Sequence, residues 1–193
     1  MQFGNHIAFK EWAVVCAALS EARQSLILRK GGIHEAPGGF RPEHDEFWLF
    51  PTYLHEEPGA VVDDASSLLQ RARREQPPTD LVRIELYAVA QEAIELTEPQ
   101  QAHGLAGQHI WSPRTVESRF HYRRPGLFLL PVRVYRLPRA VEVPNSPHFA
   151  GCRTWVELPT AIATAGAEPI LADAEFARAC ARMYQAVRIV RTS

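Results

Sequence analysis

Phe47-Trp48-Leu49-Phe50-Pro51 is the stretch on which the fold turns. Aromatic and branched side chains in an unbroken short run suit a strand, and the proline that follows stops it. Before it, Gly31 to Glu46 holds four glycines and two prolines and reads as a loop. Further back, the apolar runs Trp12 to Leu19 and Ser25 to Leu28 flank the polar break Ser20 to Gln24, a pattern that predicts a hairpin ending at Arg29-Lys30-Gly31-Gly32. After it, Val61, Ala65, Leu68, Leu69 and Ala72 recur at helical spacing, which predicts a helix over 61–75 with Arg71 and Arg74 outward. Pro77-Pro78 ends that helix. Val82, Ile84 and Leu86 alternate with Arg83 and Glu85, as in a half-buried strand that extends toward Leu96. Thr97 and Gln100 form a capping-box pattern with Pro99 in the first turn, so a short helix is expected to about Leu105. Ser112-Pro113 predicts a second helix start, with Val116 and Phe120 on one face. Leu127 to Leu137 is the longest strand-like run, with Pro131 marking a bulge or an edge, and Arg153 to Leu158 is a last strand. Asp173 begins a final helix over about 173–190, with Phe176, Ala177, Cys180, Tyr184 and Val187 as its apolar face.

The composition is that of a globular chain: 193 residues, 46 % hydrophobic and 22 % charged, with a formal net charge of −1. A near-neutral total favours neither nucleic acid nor a basic partner, so local patches must carry any such reading. The basic residues are arginine except for Lys10 and Lys30, a bias that a GC-rich genome explains better than phosphate recognition does. Cys16, Cys152 and Cys180 are odd in number and far apart, which predicts buried thiols in a reducing, cytoplasmic setting. No membrane segment and no secretory leader are expected.

Three local patterns resemble the Nudix fold in order and spacing. They are the run Ala13 to Leu19 followed by Gln24 to Arg29, then Phe47 to Pro51, then Cys152-Arg153-Thr154-Trp155-Val156-Glu157-Leu158. The likeness implies an α/β (α+β) fold: a mixed sheet flanked by helices in a single domain, 1–193. Its core spans about 9–158, with a helical insertion over about 97–124 and a C-terminal helix. The stretches Phe9-Lys10-Glu11-Trp12, Leu28 to Gly32, Phe47 to Pro51 and His109-Ile110-Trp111 also resemble the bacterial family known as domain of unknown function 1802. That resemblance implies no reaction, although some relatives are joined to restriction-endonuclease-like domains, which would make such a protein a partner.

Nudix hydrolysis requires glutamates on one helix to hold Mg²⁺ against a diphosphate. With Gly59 as the start of the box, its first glutamate falls on Ala65, its Arg-Glu pair on Arg73-Arg74 and its closing Glu-Glu pair on Pro77-Pro78. No register restores the cluster, so no catalytic residue and no cofactor is assigned. The acids Glu43, Asp45, Glu46, Glu56 and Glu57, interleaved with His34, His44 and His55, leave open a rearranged metal site within 34–57. Nucleophile, phosphate-loop and nuclease patterns are absent from the sequence.

Two basic-aromatic groups remain. Arg29, Lys30, His34, Arg41, His44, Trp48, Tyr53 and His55 would rim a Nudix-like concave face and take a nucleotide, with cations on phosphate and an aromatic ring on the base. His109, Trp111, Arg114, Arg119, Arg123 and Arg124, together with His121 and Tyr122, form a patch suited to nucleic-acid backbone. The leading expectation is a non-catalytic module binding a nucleotide or nucleic acid. The alternatives are an enzyme using the 34–57 acids and a structural subunit that binds a partner protein.

Overall fold

The computed structural model describes residues 1–30, 42–53, 57–90, 92–151 and 153–188. The expected residues His34, Arg41, His55, Glu56 and Cys152 lie outside them. Among the described residues, eight strands form one mixed sheet, accompanied by five α-helices, as the α+β expectation required.

β1 (Gly4–Trp12) runs parallel to β3 (Glu46–Thr52), with Trp12 opposite Thr52 at their ends. β4 (Leu81–Ala90) pairs antiparallel with β3, and β6 (Leu127–Pro144) antiparallel with β4. β2 (Leu26–Arg29) and β7 (Trp155–Ala163) close the order β2-β6-β4-β3-β1-β7. β5 (Ile94–Leu96) and β8 (Glu168–Pro169) add short pairings to β6. Residues 127–131 of β6 pair with β5 and β2, whereas residues 132–144 pair with β4 and β8. Pro131 stands at that exchange of partners, opposite Leu26. A proline is tolerated there because one ladder ends and the next begins around it.

The expected opening hairpin is corrected. Residues 13–20 form α1 (Ala13–Ser20), and residues 26–29 pair with β6 instead. Ala13-Val14-Val15-Cys16-Ala17-Ala18-Leu19 is apolar on every side, so it carries no strand alternation, and its three alanines favour a helix. Six of the eight α1 residues are buried, with the helix packed against β3 and against α2 (Ser66–Arg74). With a helix in place of its first strand, the Nudix-like hairpin is lost. α2 buries Leu68, Leu69 and Ala72 as expected, with Val61 and Ala65 buried just before it. Arg71 is half-buried, not outward, because it pairs with Glu21 at the end of α1.

The sheet buries both faces. Phe9, Phe47, Leu49, Leu86 and Ala88 lie in the core under the helices, whereas Ala8, Trp48, Phe50, Ile84 and Tyr87 lie in the opposite core with Phe149 and Ile162. A bulge between Ile84 and Leu86 places these two on different faces, against the simple alternation read from the sequence. The remaining helices are α3 (Pro99–Gly104), α4 (Pro113–His121) and α5 (Asp173–Arg188). α3 does carry a capping box, made by Glu98 and Gln101, one residue later than expected. α4 begins at Ser112, whose hydroxyl accepts a hydrogen bond from Thr115 N, and it buries Val116 and Phe120. α5 buries Phe176, Ala179, Cys180, Met183 and Val187. Ala177 is exposed and Tyr184 half-buried, because the buried stripe repeats at three and four residues from Phe176.

Candidate functional site

Members of both expected groups meet where the ends of β1 and β2 reach α4. The guanidinium of Arg119, from α4, stands 4.2 Å from the ring centroid of Trp111 and 4.9 Å from that of Trp12. The two indoles meet edge to face at 4.9 Å. Beside them lies the inward-facing carboxylate of β1, Glu11, 1 % exposed. Its Oε1 accepts from Trp12 N at 2.8 Å, while its buried Oε2 has no hydrogen-bond partner and lies 3.6 Å from Arg29 Nη1. Burying a carboxylate is costly unless cations compensate it. Arg29 and Arg119 supply that compensation. Arg119 is held below its ordinary pKa by burial, an effect that the Glu11 carboxylate opposes and the Arg29 charge reinforces. Arg29 is fixed in turn by Thr154 Oγ1 at 2.7 Å, by Lys10 O at 3.2 Å and by the ring of Phe9 at 4.8 Å.

Lys30 acts on the far end of α4. Its Nζ donates to the carbonyls of Phe120 at 2.8 Å, Gly126 at 2.9 Å and Arg124. A cation against the last carbonyls of a helix opposes the helix dipole and satisfies acceptors that have no partner within the helix. Burial and the neighbouring Arg124 both lower the Lys30 pKa. The turn it secures is tight: Gly126 N bonds Phe120 O at 3.0 Å, and Arg124 N bonds Tyr122 O at 2.8 Å. Arg123 takes a left-handed φ of 63° and Gly126 a φ of 123°. The turn presents its side chains outward. Arg123, Arg124 and Tyr122 are exposed, and the Arg123 guanidinium stands 5.2 Å from the Tyr122 ring centroid. Arg114, near the start of α4, is also exposed. Glu117 is engaged by both His103 and His121, each at 2.9 Å.

Other expected members take different places in the fold. Trp48 is fully buried on the opposite face of the sheet, where Nε1 donates to Asn5 O and the ring meets Tyr87, so it cannot stack on a ligand. Tyr53 lies half-buried and lines a cavity together with Arg71, Glu75 and Arg83. His44 is half-buried against Trp155 at 5.1 Å. His109 is interior. Its Nδ1 accepts from Trp111 N, its Nε2 has no partner, and burial pushes its pKa down to about 4. Trp111, 2 % exposed, is the platform beneath Arg119 and not a surface for bases. No group of three or more metal-ligating side chains occurs among the described residues.

Glu11, Trp12 and Thr154 were not expected at a site. A signal for Glu11 was present: the alternation Ile7, Phe9, Glu11 places a carboxylate in a slot that the pleat points inward. Thr154 has no such signal, because only the pairing of β7 with β1 brings it to Arg29.

Fold and site together define an α+β chain with a basic, aromatic-braced helix at the end of a mixed sheet. Residues 8–182 match the family described as Domain of unknown function (DUF1802), and the chain belongs to that family. No curated protein matches the chain. Among solved structures it is similar to ASCH from Zymomonas mobilis, at 8 % identity and a TM-score of 0.44, over 91 % of this chain and 92 % of that one. It is also similar to a serine-to-alanine mutant of the same protein, at 9 % identity and a TM-score of 0.43, over 82 % of this chain and 91 % of that one.

Proposed function

We propose that this chain is a nucleic-acid-binding module whose contact surface is α4 and the turn that follows it. The observation that carries this reading is Tyr122. Outside Met1 and Phe3 it is the one large hydrophobic side chain exposed among the described residues, at 56 %. An exposed ring beside a guanidinium, on a turn tied down by Lys30, is a preformed platform for an unpaired base. Arg114, Arg123 and Arg124 place cations along the same helix and turn, where a phosphate backbone would run. The segment 112–126 holds four arginines against one glutamate, so it is locally basic within a near-neutral chain.

Single strands suit a protruding ring better than duplexes, whose bases are already stacked. The test is fluorescence anisotropy with labelled single-stranded DNA and RNA at low salt, comparing the native chain with Tyr122→Ala and Tyr122→Phe. Stacking of one base accounts for about 1–3 kcal/mol. Tyr122→Ala is therefore expected to weaken binding roughly five- to 150-fold, and Tyr122→Phe to retain it. No binding by the native chain, or equal affinity of native chain and Tyr122→Ala, overturns the reading.

A further inference from the structure

We infer a second, separate ligand site: a cavity of about 320 Å³ between α5, the turn after α1 and the turn after α3, which takes a small phosphorylated compound. Its walls include Arg23 and Ser25 from the first turn, Gly107 from the second, and Arg178 and Arg182 from α5. The volume falls at the lower end of the range for small-molecule pockets, roughly 300–1,000 Å³.

The charges choose the ligand class. Three arginines line the cavity against one acid, Glu175. Glu175 is already committed, since its Oε2 accepts from Ala172 N at 3.2 Å where α5 begins. Arg23 is anchored by Asp64, through the carboxylate at 3.1 Å and through the carbonyl. Arg178 and Arg182 are exposed, and neither forms an ion pair or hydrogen bond among the described residues. They stand four apart on one helix, so their side chains are neighbours and their like charges repel. Glu175, three residues before Arg178 on the same helix, offsets part of that repulsion, and a bound anion would offset the rest. Planar guanidinium forks pair bidentately with the oxygens of a phosphate, and several cations together suit its higher charge.

The other surfaces of the cavity fit the organic part of such a ligand. Leu171, Ala179 and Met183 contribute apolar wall, and the buried Gln24 and Ser25 contribute polar floor. Gln24 already donates to Leu26 O and accepts from Ile110 N, so its side chain is fixed before any ligand arrives. A terminal phosphate, from a free mononucleotide or from the end of a strand, is the shared chemistry. The site does not rest on the Tyr122 surface.

Isothermal titration with inorganic pyrophosphate and with adenosine 5′-monophosphate tests it, using the full chain, Arg178→Ala/Arg182→Ala, and Tyr122→Ala. Both α5 arginines are exposed, so the double variant is expected to melt near the native temperature. Pyrophosphate binding is expected in the native chain and in Tyr122→Ala, and to fall at least tenfold in the α5 variant. Absence of pyrophosphate binding to the native chain overturns the inference. So does an undiminished affinity in the α5 variant, or a loss that follows Tyr122→Ala instead. A 5′-phosphorylated and a 5′-hydroxyl oligonucleotide then separate the sources. Dependence of binding on the 5′-phosphate and on Arg178 and Arg182 assigns a strand end, and tighter binding of the mononucleotide assigns the free compound; either supports the site.

Discussion

The Arg119 guanidinium sits over the buried indole of Trp111, 4.2 Å from its centroid, within the field of the Glu11 carboxylate. This contact changes what a substitution at Arg119 reports. From the sequence alone, Arg119 and Arg123 are alike, two arginines on one exposed face. In the fold, Arg119 braces β1 against α4, and Arg123 faces outward.

Arg119→Ala is therefore expected to destabilise the fold. A desolvated cation–π contact contributes about 2 kcal/mol, and its loss also removes one of the cations that offset the buried Glu11 carboxylate. Urea denaturation should show a loss of at least that size for Arg119→Ala and less than about 0.5 kcal/mol for Arg123→Asn, as for an ordinary surface change. Equal stability of the two variants would refute the bracing role.

His109 gives the fold a pH dependence whose sign is determined. Burial lowers its native pKa from 6.5 to about 4. Above pH 6.5 the ring is neutral in both states. Between pH 6.5 and about 4 the unfolded chain takes up a proton that the native chain refuses. The stability due to His109 is thus full above pH 6.5 and is lost as pH falls, by about 2 kcal/mol between pH 7 and pH 5. His109→Gln should remove that increment, measured as the difference in urea stability at the two pH values. A slope unchanged in the variant would show that another group titrates.

These two residues also show what was legible. Strand Phe47 to Phe50, the Ser112-Pro113 helix start and the long strand after Leu127 all follow from local periodicity or capping, and each is found; the helix expected over 61–75 is found over Ser66–Arg74, after a 3-10 turn at Asp63–Ala65. α1 was missed because a helix buried on all sides has no period to read. The site was half legible. Its arginines stand out by composition, but their separate roles depend on contacts between distant segments: Arg119 with Trp12, Lys30 with Phe120, Arg29 with Thr154. Trp48 and His109 looked like ligand contacts because local sequence does not say which face of the sheet, or which side of a turn, is closed by the rest of the chain.

Lys30 should control the order of the turn after α4. Lys30→Met removes the donor to three carbonyls at the helix end. Hydrogen bonds to a charged group contribute about 1.5–3 kcal/mol, so a stability loss in that range is expected. Hydrogen exchange gives the local test, because Gly126 N bonds Phe120 O inside the turn. Its amide should exchange faster in the variant, while amides of β1 and β3 keep their relative protection. Unchanged exchange at Gly126 would mean that the turn holds itself.

The salt dependence of nucleic-acid binding should count the exposed arginines. Each phosphate neutralised on a single strand releases counterions and contributes a slope of about −0.7 in log affinity against log salt. Arg114 and Arg123 are both exposed, and neither braces the core as Arg119 does. Arg123 occupies a left-handed φ of 63°, so Arg123→Asn removes the charge while keeping a residue that tolerates this backbone. Arg114→Gln/Arg123→Asn is thus expected to flatten the slope by about 1.4, two contacts at 0.7 each, with little change in melting temperature. Tyr122→Ala should weaken binding equally at all salt concentrations and leave the slope as it was, because stacking neutralises no phosphate. Anisotropy titrations from low to high salt on the native chain and both variants separate these outcomes. A slope unchanged in the arginine variant would remove α4 and its turn from the phosphate path, even if Tyr122 still contacts a base.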